Sequence, residues 1–198
     1  MLLFGHPGLT LGTATLLARA LQNKRFSMTV RKDTLSEARP SGLVSLGNFI
    51  DIRLLLIGSL LPDIIDKPIG LLFFRNTIRN GRTFSHTLLF LFLITLAAFY
   101  VYKRYRRTGL LALWFGTLTH LIFDQMWRTP QTLFWPFYGF TFAKADITDW
   151  IANMLHSLLT NPQVYIPELM GAAILIWFLL VLIQGHKTLY FLRCGRME

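Results

Sequence analysis

Residues 84–102 read FSHTLLFLFLITLAAFYVY, a run of apolar and aromatic side chains without Asp, Glu, Lys or Arg. A helix needs about 20 such residues to cross a hydrocarbon core of about 30 Å. Glu168–Gln184 (ELMGAAILIWFLLVLIQ) forms a second run of this kind. A third, Gly109–Met126 (GLLALWFGTLTHLIFDQM), carries His120 and Asp124 in its final turns. These three runs predict transmembrane helices.

The composition supports a membrane protein. Hydrophobic residues make up 53% of the 198 residues and charged residues only 15%, whereas soluble domains carry about 25% charged residues. The single cysteine, Cys194, excludes an intrachain disulfide and a cysteine-based zinc site. The first twenty residues lack a basic region before an apolar core, so we expect no cleaved signal peptide. The sequence predicts one all-α polytopic membrane domain over residues 1–198.

Two weaker apolar segments complete the predicted topology. Leu9–Leu21 is short and contains Arg19, whose side chain can reach the membrane interface. Phe49–Leu61 contains Asp51 and Arg53 near its start, which leaves LLLIGSLL as its apolar centre. Either segment is also compatible with a half-helix or an interfacial helix. We predict about five membrane segments in total.

The net charge of +10 comes from basic residues that cluster in short loops beside apolar segments. Anionic lipid and the positive-inside rule explain such clusters, so we do not expect nucleic-acid binding. If the clusters lie in the cytoplasm, the N-terminus is outside and the C-terminus inside. The clusters are Lys24, Arg25, Arg31, Lys32 and Arg39; Lys103, Arg104, Arg106 and Arg107; and Lys187, Arg193 and Arg196. Four basic residues of the Pro62–Thr83 outer loop oppose this assignment: Lys67, Arg75, Arg79 and Arg82.

Five residues of the types that bind metals lie near the ends of the apolar segments. They are His6, Asp63, His86, His120 and Asp124. If the segments alternate in direction, these ends gather on one side of the membrane. Imidazoles and carboxylates hold zinc or a similar divalent ion with positions left open for water and substrate. His156 has no carboxylate partner at helical spacing and His186 lies at the opposite, basic end, so we leave both out.

An ordinary structural explanation exists for each of these residues. His120 and Asp124 are four residues apart on one predicted helical face, where a His–Asp hydrogen bond would join two helices. Asp63 follows a proline, which is typical of a helix end.

The other two predicted ligands have similar alternatives. Thr83 or Ser85 would serve as an N-cap that places His86 in the first helical turn. His6 precedes Pro-Gly near the N-terminus and would simply be solvated. The coincidence of five ligands on one side favours a metal site. A distance above about 8 Å between His6 and His120 would exclude His6, because zinc–nitrogen bonds are about 2.1 Å long.

Two further residues are candidates for catalysis. Asp66 would either accept a proton from an activated water or orient a ligand histidine. Arg82, with Arg79 in support, would hold an anionic group, because a guanidinium binds phosphate through two parallel hydrogen bonds. Contact with lipid headgroups is the alternative for these arginines, and we favour it for Arg75 and Arg79.

The loop of residues 127–167 is rich in aromatic side chains, which settle at membrane interfaces. Ile147–Leu159 is a candidate for a short interfacial helix within it. We expect Trp127, Trp135 and Phe137 to frame a site at interface depth.

Four short stretches resemble the YdjM-like family, a LexA-regulated group of bacterial inner-membrane proteins predicted to be metal-dependent hydrolases. They are residues 58–67 (GSLLPDIIDK), 82–87 (RTFSHT), 116–124 (GTLTHLIFD) and 135–137 (WPF). His6 also has its counterpart in the family, so the resemblance spans residues 6 to about 140. One departure is Gly81-Arg82-Thr83, where the family is expected to have His-Arg-Gly.

The order of the ligands is also similar to that of zinc-dependent phospholipase C and its nuclease relatives. That similarity implies that Asp63, His86, His120 and Asp124 share one zinc and that His6 approaches a second ion near Asp124. No His-x-x-x-Glu pair follows Asp124, so we do not expect the full three-metal cluster of those enzymes.

The resemblance implies a metal-dependent hydrolase of the bacterial inner membrane, and the loop charges predict a multi-pass protein with its site on the extracytoplasmic side. A site at interface depth would suit a phosphoester of a lipid or of a lipid-linked molecule as the substrate. A non-catalytic protein whose His–Asp cluster packs helices or binds a partner is one alternative. A small transporter is another, although the two strongest predicted spans lack polar residues midway. The oligomeric state is left open.

Overall fold

Helices are the regular secondary structure of the residues that the computed structural model describes, which are 2–29, 46, 50–74, 80–142 and 150–197. The helices are α1 (Gly5–Thr29), α2 (Ile52–Pro68), α3 (Leu88–Tyr105), α4 (Gly109–Phe123), α5 (Pro130–Leu133), α6 (Trp150–Thr160), α7 (Pro162–Gln184) and α8 (Thr188–Cys194). A π-helical turn, Ile69–Phe73, continues α2, and 3-10 turns cover Phe84–His86 and Met126–Arg128. No strand occurs in these ranges, which confirms the all-α prediction.

Among the described helices, α3 and α7 are long and apolar enough to cross a membrane, and α4 is a shorter apolar helix of 15 residues. Large apolar side chains cover the outside of both long helices. Soluble monomers rarely expose apolar patches of this extent, whereas lipid accommodates them. Examples are Leu89, Phe92, Leu96, Phe99, Leu169, Ile176, Trp177 and Leu180. The five-crossing topology stays a prediction.

Helices α2 and α4 pack closely because each contributes a glycine to their contact. A Cβ atom on Gly58 would collide with the backbone of Leu113, and one on Gly116 would collide with the backbone of Leu55. The two helices also contact α1, which packs in turn on α7. The ends of α2 and α4 are thereby fixed relative to each other and to the start of α1.

The loop that we predicted from Pro62 onwards is helical as far as Phe73, so that prediction is wrong. A proline inside a helix removes the hydrogen bond to the carbonyl four residues earlier. Here that carbonyl belongs to Gly58, and the hydroxyl of Thr117 shares its proton between this oxygen at 3.3 Å and the carbonyl oxygen of Leu113 at 3.1 Å. The replacement bond lets α2 continue, and Asp63 and Asp66 therefore lie within a helix.

The boundary before α3 also differs from the prediction. Neither Thr83 nor Ser85 caps this helix; its N-cap is Thr87, whose Oγ1 accepts from the backbone N–H of Phe90 at 3.0 Å. His86 consequently lies before the helix, in the 3-10 turn, and not in its first turn.

Three other boundaries shift. Helix α4 ends at Phe123, so Asp124 is its C-cap. Helix α7 begins at Pro162 and not at Glu168, and α1 extends well beyond Leu9–Leu21. The predicted segment Ile147–Leu159 is helical from Trp150, as α6, and residues 147–149 lie outside the described part of the chain; its position at a membrane interface stays a prediction.

The apolar core lies away from these ligand-bearing helix ends. It is built from the first half and middle of α1, the start of α2, the first half of α4, the second half of α7 and the C-terminal segment. Its buried members include Leu11, Ala14, Ile52, Leu55, Ala112, Phe178, Leu182, Phe191 and Met197. The bundle is therefore apolar at one end and polar at the other.

Candidate metal centre

The five predicted ligands come together where α1 begins, α2 ends, α3 is about to begin and α4 ends. His6, His86 and His120 are each fully buried, with 0% exposure. The rings of His6 and His120 are stacked with their centroids 3.9 Å apart. This distance is well within the limit that would have excluded His6. The five side chains thus lie together at one end of the bundle, as expected, whereas the alternation of the segments through a membrane stays a prediction.

The second nitrogen of His120 and of His86 is held by an acceptor. Nδ1 of His120 lies 2.7 Å from the carbonyl oxygen of Ser59, and a carbonyl can only accept a hydrogen bond. Nδ1 of His86 lies 2.7 Å from Oδ2 of Asp66. Both histidines therefore carry a proton on Nδ1 and present Nε2 to the centre. In the neutral form of each ring, Nε2 is an unprotonated electron-pair donor.

These two Nε2 atoms lie 3.2 Å apart and face carboxylate oxygens. Oδ1 of Asp63 is 3.7 Å from Nε2 of His86 and 4.0 Å from that of His120. Oδ2 of Asp124 is 3.9 and 4.0 Å from the same two atoms. Ligands of a tetrahedral zinc lie about 3.4 Å apart, given bonds of about 2.1 Å. Asp63, His86 and His120 therefore form a compact group of ligand atoms that could hold one divalent ion, and Oδ2 of Asp124 lies within 4.0 Å of both histidine nitrogens.

His6 adds a fifth donor near the same point. Its Nε2 lies 3.2 Å from Oδ1 of Asp124, although the two atoms are not aligned as a hydrogen bond, and both ring nitrogens are buried without a hydrogen-bond partner. His6, His120 and Asp124 form one candidate group of ligands, and Asp63, His86 and His120 form another. Both groups use Nε2 of His120, so two ions cannot fill both groups separately.

Asp66 is fully engaged by its surroundings. Besides the ring of His86, its carboxylate accepts backbone N–H groups of Thr83 at 2.6 Å, Ser85 at 3.1 Å and His86 at 3.3 Å. Burial raises the pKa of Asp66, but the hydrogen bonds from His86 and Ser85 outweigh it, so the pKa lies below its usual range. Of its two predicted roles, this geometry favours orienting His86 over accepting a proton.

A basic residue pairs with each of two ligand carboxylates: Lys67 with the outer oxygen of Asp63, and Arg82 with the Asp124 oxygen that also faces His86 and His120. Nζ of Lys67 lies 2.7 Å from Oδ2 of Asp63, and Nη2 of Arg82 lies 2.8 Å from Oδ2 of Asp124. The positive charges of Lys67 and Arg82 compensate the carboxylates of the centre. These two residues therefore need not be explained by the positive-inside rule. Arg75 and Arg79 lie outside the described residues.

Lys67 was not predicted from the sequence as a site residue. Asp63-x-x-x-Lys67 is the spacing of a helical ion pair, but it is informative only once α2 is known to continue past Pro62. Ser59 was also missed, because it acts through its backbone carbonyl and no side-chain pattern reports it.

An aromatic cluster lies beside the turn that carries His86. Phe84 packs edge-on against Trp135 and against Phe142, with ring centroids 5.4 and 5.0 Å apart. Of the residues predicted to frame the site, Trp135 belongs to this cluster, whereas Trp127 and Phe137 are exposed. The cluster fixes the outer side of the turn.

The two histidines left out of the prediction lie elsewhere. His156 is on the exposed side of α6, and His186 is exposed after the end of α7. Neither belongs to the two groups of ligands found among the described residues.

A family model described as YdjM inner membrane protein matches residues 1–192. No match was found among curated proteins or among solved structures. The match covers the ligand-bearing helices, the candidate membrane helices and the C-terminal segment. The chain therefore belongs to the YdjM family of inner membrane proteins.

Proposed function

We propose that this protein is a metal-dependent hydrolase of the inner membrane that cleaves a phosphoester of a lipid or lipid-linked substrate. The observation that carries the proposal is the 3.2 Å approach of the Nε2 atoms of His86 and His120. Two neutral imidazoles cannot hydrogen-bond through these atoms, because each already carries its proton on Nδ1. The lone pairs of the two Nε2 atoms would then repel each other. A divalent cation bound by both nitrogens, together with Asp63 and Asp124, would remove this repulsion.

Zinc is the ion we propose, because imidazole and carboxylate ligands suit it. Such an ion lowers the pKa of bound water towards neutrality and polarises a phosphoryl oxygen. The protein's own residues would hold His86 and His120 in one tautomer through Asp66 and Ser59. Side chains fixed in this way need no rearrangement when the ion binds.

The charges around the centre favour an anionic substrate. With neutral histidines, the carboxylates of Asp63, Asp66 and Asp124 exceed the cations Lys67 and Arg82 by one charge, and a divalent ion reverses this sign. The side chain of Arg82 is 42% exposed, so its guanidinium reaches solvent as well as Asp124. We propose that it binds a non-bridging phosphoryl oxygen, for which its planar geometry is suited.

The position of the centre suggests how a lipid substrate reaches it. The ligands lie at the ends of helices, next to the packed side chains of Phe84 and Trp135, and Trp is a residue that settles at membrane interfaces. We propose a multi-pass topology with this end on the extracytoplasmic side. A headgroup phosphate at the interface would then lie at the depth of the metal.

The test is hydrolysis of a fluorogenic phosphomonoester, a fluorogenic phosphodiester and mixed phospholipids by purified protein. Wild type stripped with a chelator should be inactive and should recover with zinc. His86→Ala should not recover, whereas His156→Ala, which alters an exposed histidine outside the centre, should behave as wild type. Metal binding without hydrolysis of any of these substrates would contradict the proposed activity.

A non-catalytic packing role is the second candidate, and the same 3.2 Å distance supports it. If one imidazole of the pair is protonated, its Nε2–H donates to the other and the cluster joins helices without metal. This alternative predicts that His86→Ala lowers the melting temperature while the purified protein holds no metal before or after the change.

A further inference from the structure

Glu168 binds the start of α1 through its carboxylate. It accepts the backbone N–H groups of Leu2, of Leu3 at 3.1 Å and of Phe4 at 2.8 Å. These three residues immediately precede the first turn of α1, which begins at Gly5, and a carboxylate is the favoured partner at that end of the helix dipole.

Glu168 is also the only charged residue of α7, a candidate membrane helix, and is only 6% exposed. A carboxylate in such a helix is unfavourable unless it is hydrogen-bonded or paired. Its bonds to the backbone of α1 supply that compensation. The interaction is therefore specific to this pair of helices.

The contact is reinforced by two glycines. A Cβ atom on Gly8 would collide with the backbone of Gly171, and one on Gly171 would collide with the backbone of Phe4. Gly171 lies three residues after Glu168, and Gly8 two residues after His6. The backbone of α7 thus contacts the chain at Phe4, two residues before His6, and at Gly8, two residues after it.

His6 depends on this anchoring more than the other histidines of the centre. Nδ1 of His86 and of His120 is bound to Asp66 and Ser59, whereas neither nitrogen of His6 has a hydrogen-bond partner. Its ring is held by stacking on His120, by the 3.2 Å contact of its Nε2 with Oδ1 of Asp124 and by the position of its own backbone. Whatever fixes the start of α1 therefore fixes His6.

We propose that Glu168 is a positioning residue that holds His6 in the metal centre. The inference rests on the proposed metal site but assigns a role to a residue outside it. Loss of the Glu168 carboxylate should release Leu2–Phe4, let the first turn of α1 move, and withdraw His6 from Asp124 and His120. Residues that orient a metal ligand from outside the ligand set change metal affinity by about 10- to 100-fold.

The test uses a double-mutant cycle in full-length protein in detergent. Glu168→Ala and His6→Ala should each weaken zinc binding by about 10- to 100-fold, and the double variant should bind no more weakly than His6→Ala. Phe178→Ala is the matched control, because Phe178 is buried on the same helix within the apolar core. It should lower the melting temperature and leave zinc affinity unchanged. Additive losses in the double variant would overturn the proposal.

A second readout does not depend on metal. In metal-free protein, diethyl pyrocarbonate should spare the buried His6 in wild type and in Phe178→Ala, and should modify it in Glu168→Ala, as read by mass spectrometry. Protection of His6 in Glu168→Ala would overturn the positioning role, whatever the metal content. Failure of wild type to bind zinc, with His6 exposed only in Glu168→Ala, would instead refute the proposed function and retain the role of Glu168.

Discussion

The three histidines of the centre are oriented in three different ways. His120 donates to a backbone carbonyl, His86 donates to a carboxylate, and His6 stacks on a neighbouring ring. The first two partners fix the tautomer as well as the direction of the ring. We therefore expect the centre to respond differently to changes at each partner.

Asp66→Asn separates the two roles predicted for Asp66. The amide nitrogen of the new side chain would be a donor and could not accept the hydrogen bond from Nδ1 of His86. The change also removes the negative charge that the backbone N–H groups of Thr83, Ser85 and His86 stabilise. We expect zinc affinity, measured by competition with a chromophoric chelator, to fall by about 10- to 100-fold. An unchanged affinity together with lost hydrolysis would instead identify Asp66 as the proton acceptor.

Lys67→Gln tests the electrostatics of the centre. Removing a cation that lies 2.7 Å from a ligand carboxylate lessens repulsion of a divalent ion, so zinc should bind about tenfold more tightly. Inhibition of hydrolysis by inorganic phosphate should weaken in parallel. Lys103→Gln, at the other end of α3 from His86, is the control and should change neither quantity. Weaker zinc binding in Lys67→Gln would contradict this account.

At this scale the sequence predicted the side chains but not their partners. The sequence could predict the five ligands because His and Asp are unusual residues at the ends of apolar segments. They are His6, Asp63, His86, His120 and Asp124. The Ser59 carbonyl could not be predicted, because every residue carries one. Lys67 was assigned to a loop because Pro62 indicates a helix end. Its partner Asp63 lies one helical turn earlier, and the two pair only because α2 continues past Pro62.

Helix α2 illustrates why elements were predicted less well than ligands. Pro62 ordinarily indicates a helix end, and the compensating hydrogen bond comes from Thr117, which is 55 positions away in the sequence. Local patterns cannot report such a bond. By contrast, α3 and α7 were recognisable from their apolar length alone, although the true start of α3 depends on Thr87 as its cap.

The close packing of α2 and α4 predicts a sharp sensitivity to volume. Gly116→Ala adds a methyl group against the backbone of Leu55 and Ser59, which cannot yield. We expect loss of about 1–3 kcal/mol of unfolding free energy and weaker zinc binding, because the separation of Asp63 and His120 depends on this contact.

The matched control for that change is Gly12→Ala in α1. A Cβ atom there meets only the tip of the Ile174 side chain at 3.1 Å, which can rotate. Stability, followed by thermal unfolding in detergent, should stay within about 1 kcal/mol of wild type, since alanine also favours helix over glycine. Equal destabilisation by both changes would show that the α2–α4 contact is not special.

For the molecule as a whole, polarity along the bundle is the main feature. Apolar side chains cover α3 and α7, the apolar core fills one end, and the His–Asp cluster occupies the other. The loop charges predict that the cluster end faces away from the cytoplasm. Because Lys67 and Arg82 compensate the cluster, their positive charges no longer oppose that orientation.

Cysteine labelling tests the orientation. Cys194 is exposed after α7, so an impermeant maleimide should label it only after the membrane is permeabilised. In a Cys194→Ser background, Gln131→Cys, which replaces an exposed residue of α5, should be labelled in intact spheroplasts. The reverse pattern would place the metal centre in the cytoplasm.

The most direct test of the central claim is the metal content of the purified protein. Elemental analysis of wild type beside Asp124→Ala and His156→Ala should give about one zinc or similar divalent ion per chain for wild type and His156→Ala. Asp124→Ala, which removes a carboxylate facing all three histidines, should retain less than about 0.2. A wild-type content below about 0.2 per chain, unchanged by Asp124→Ala and after incubation with zinc, would contradict the account.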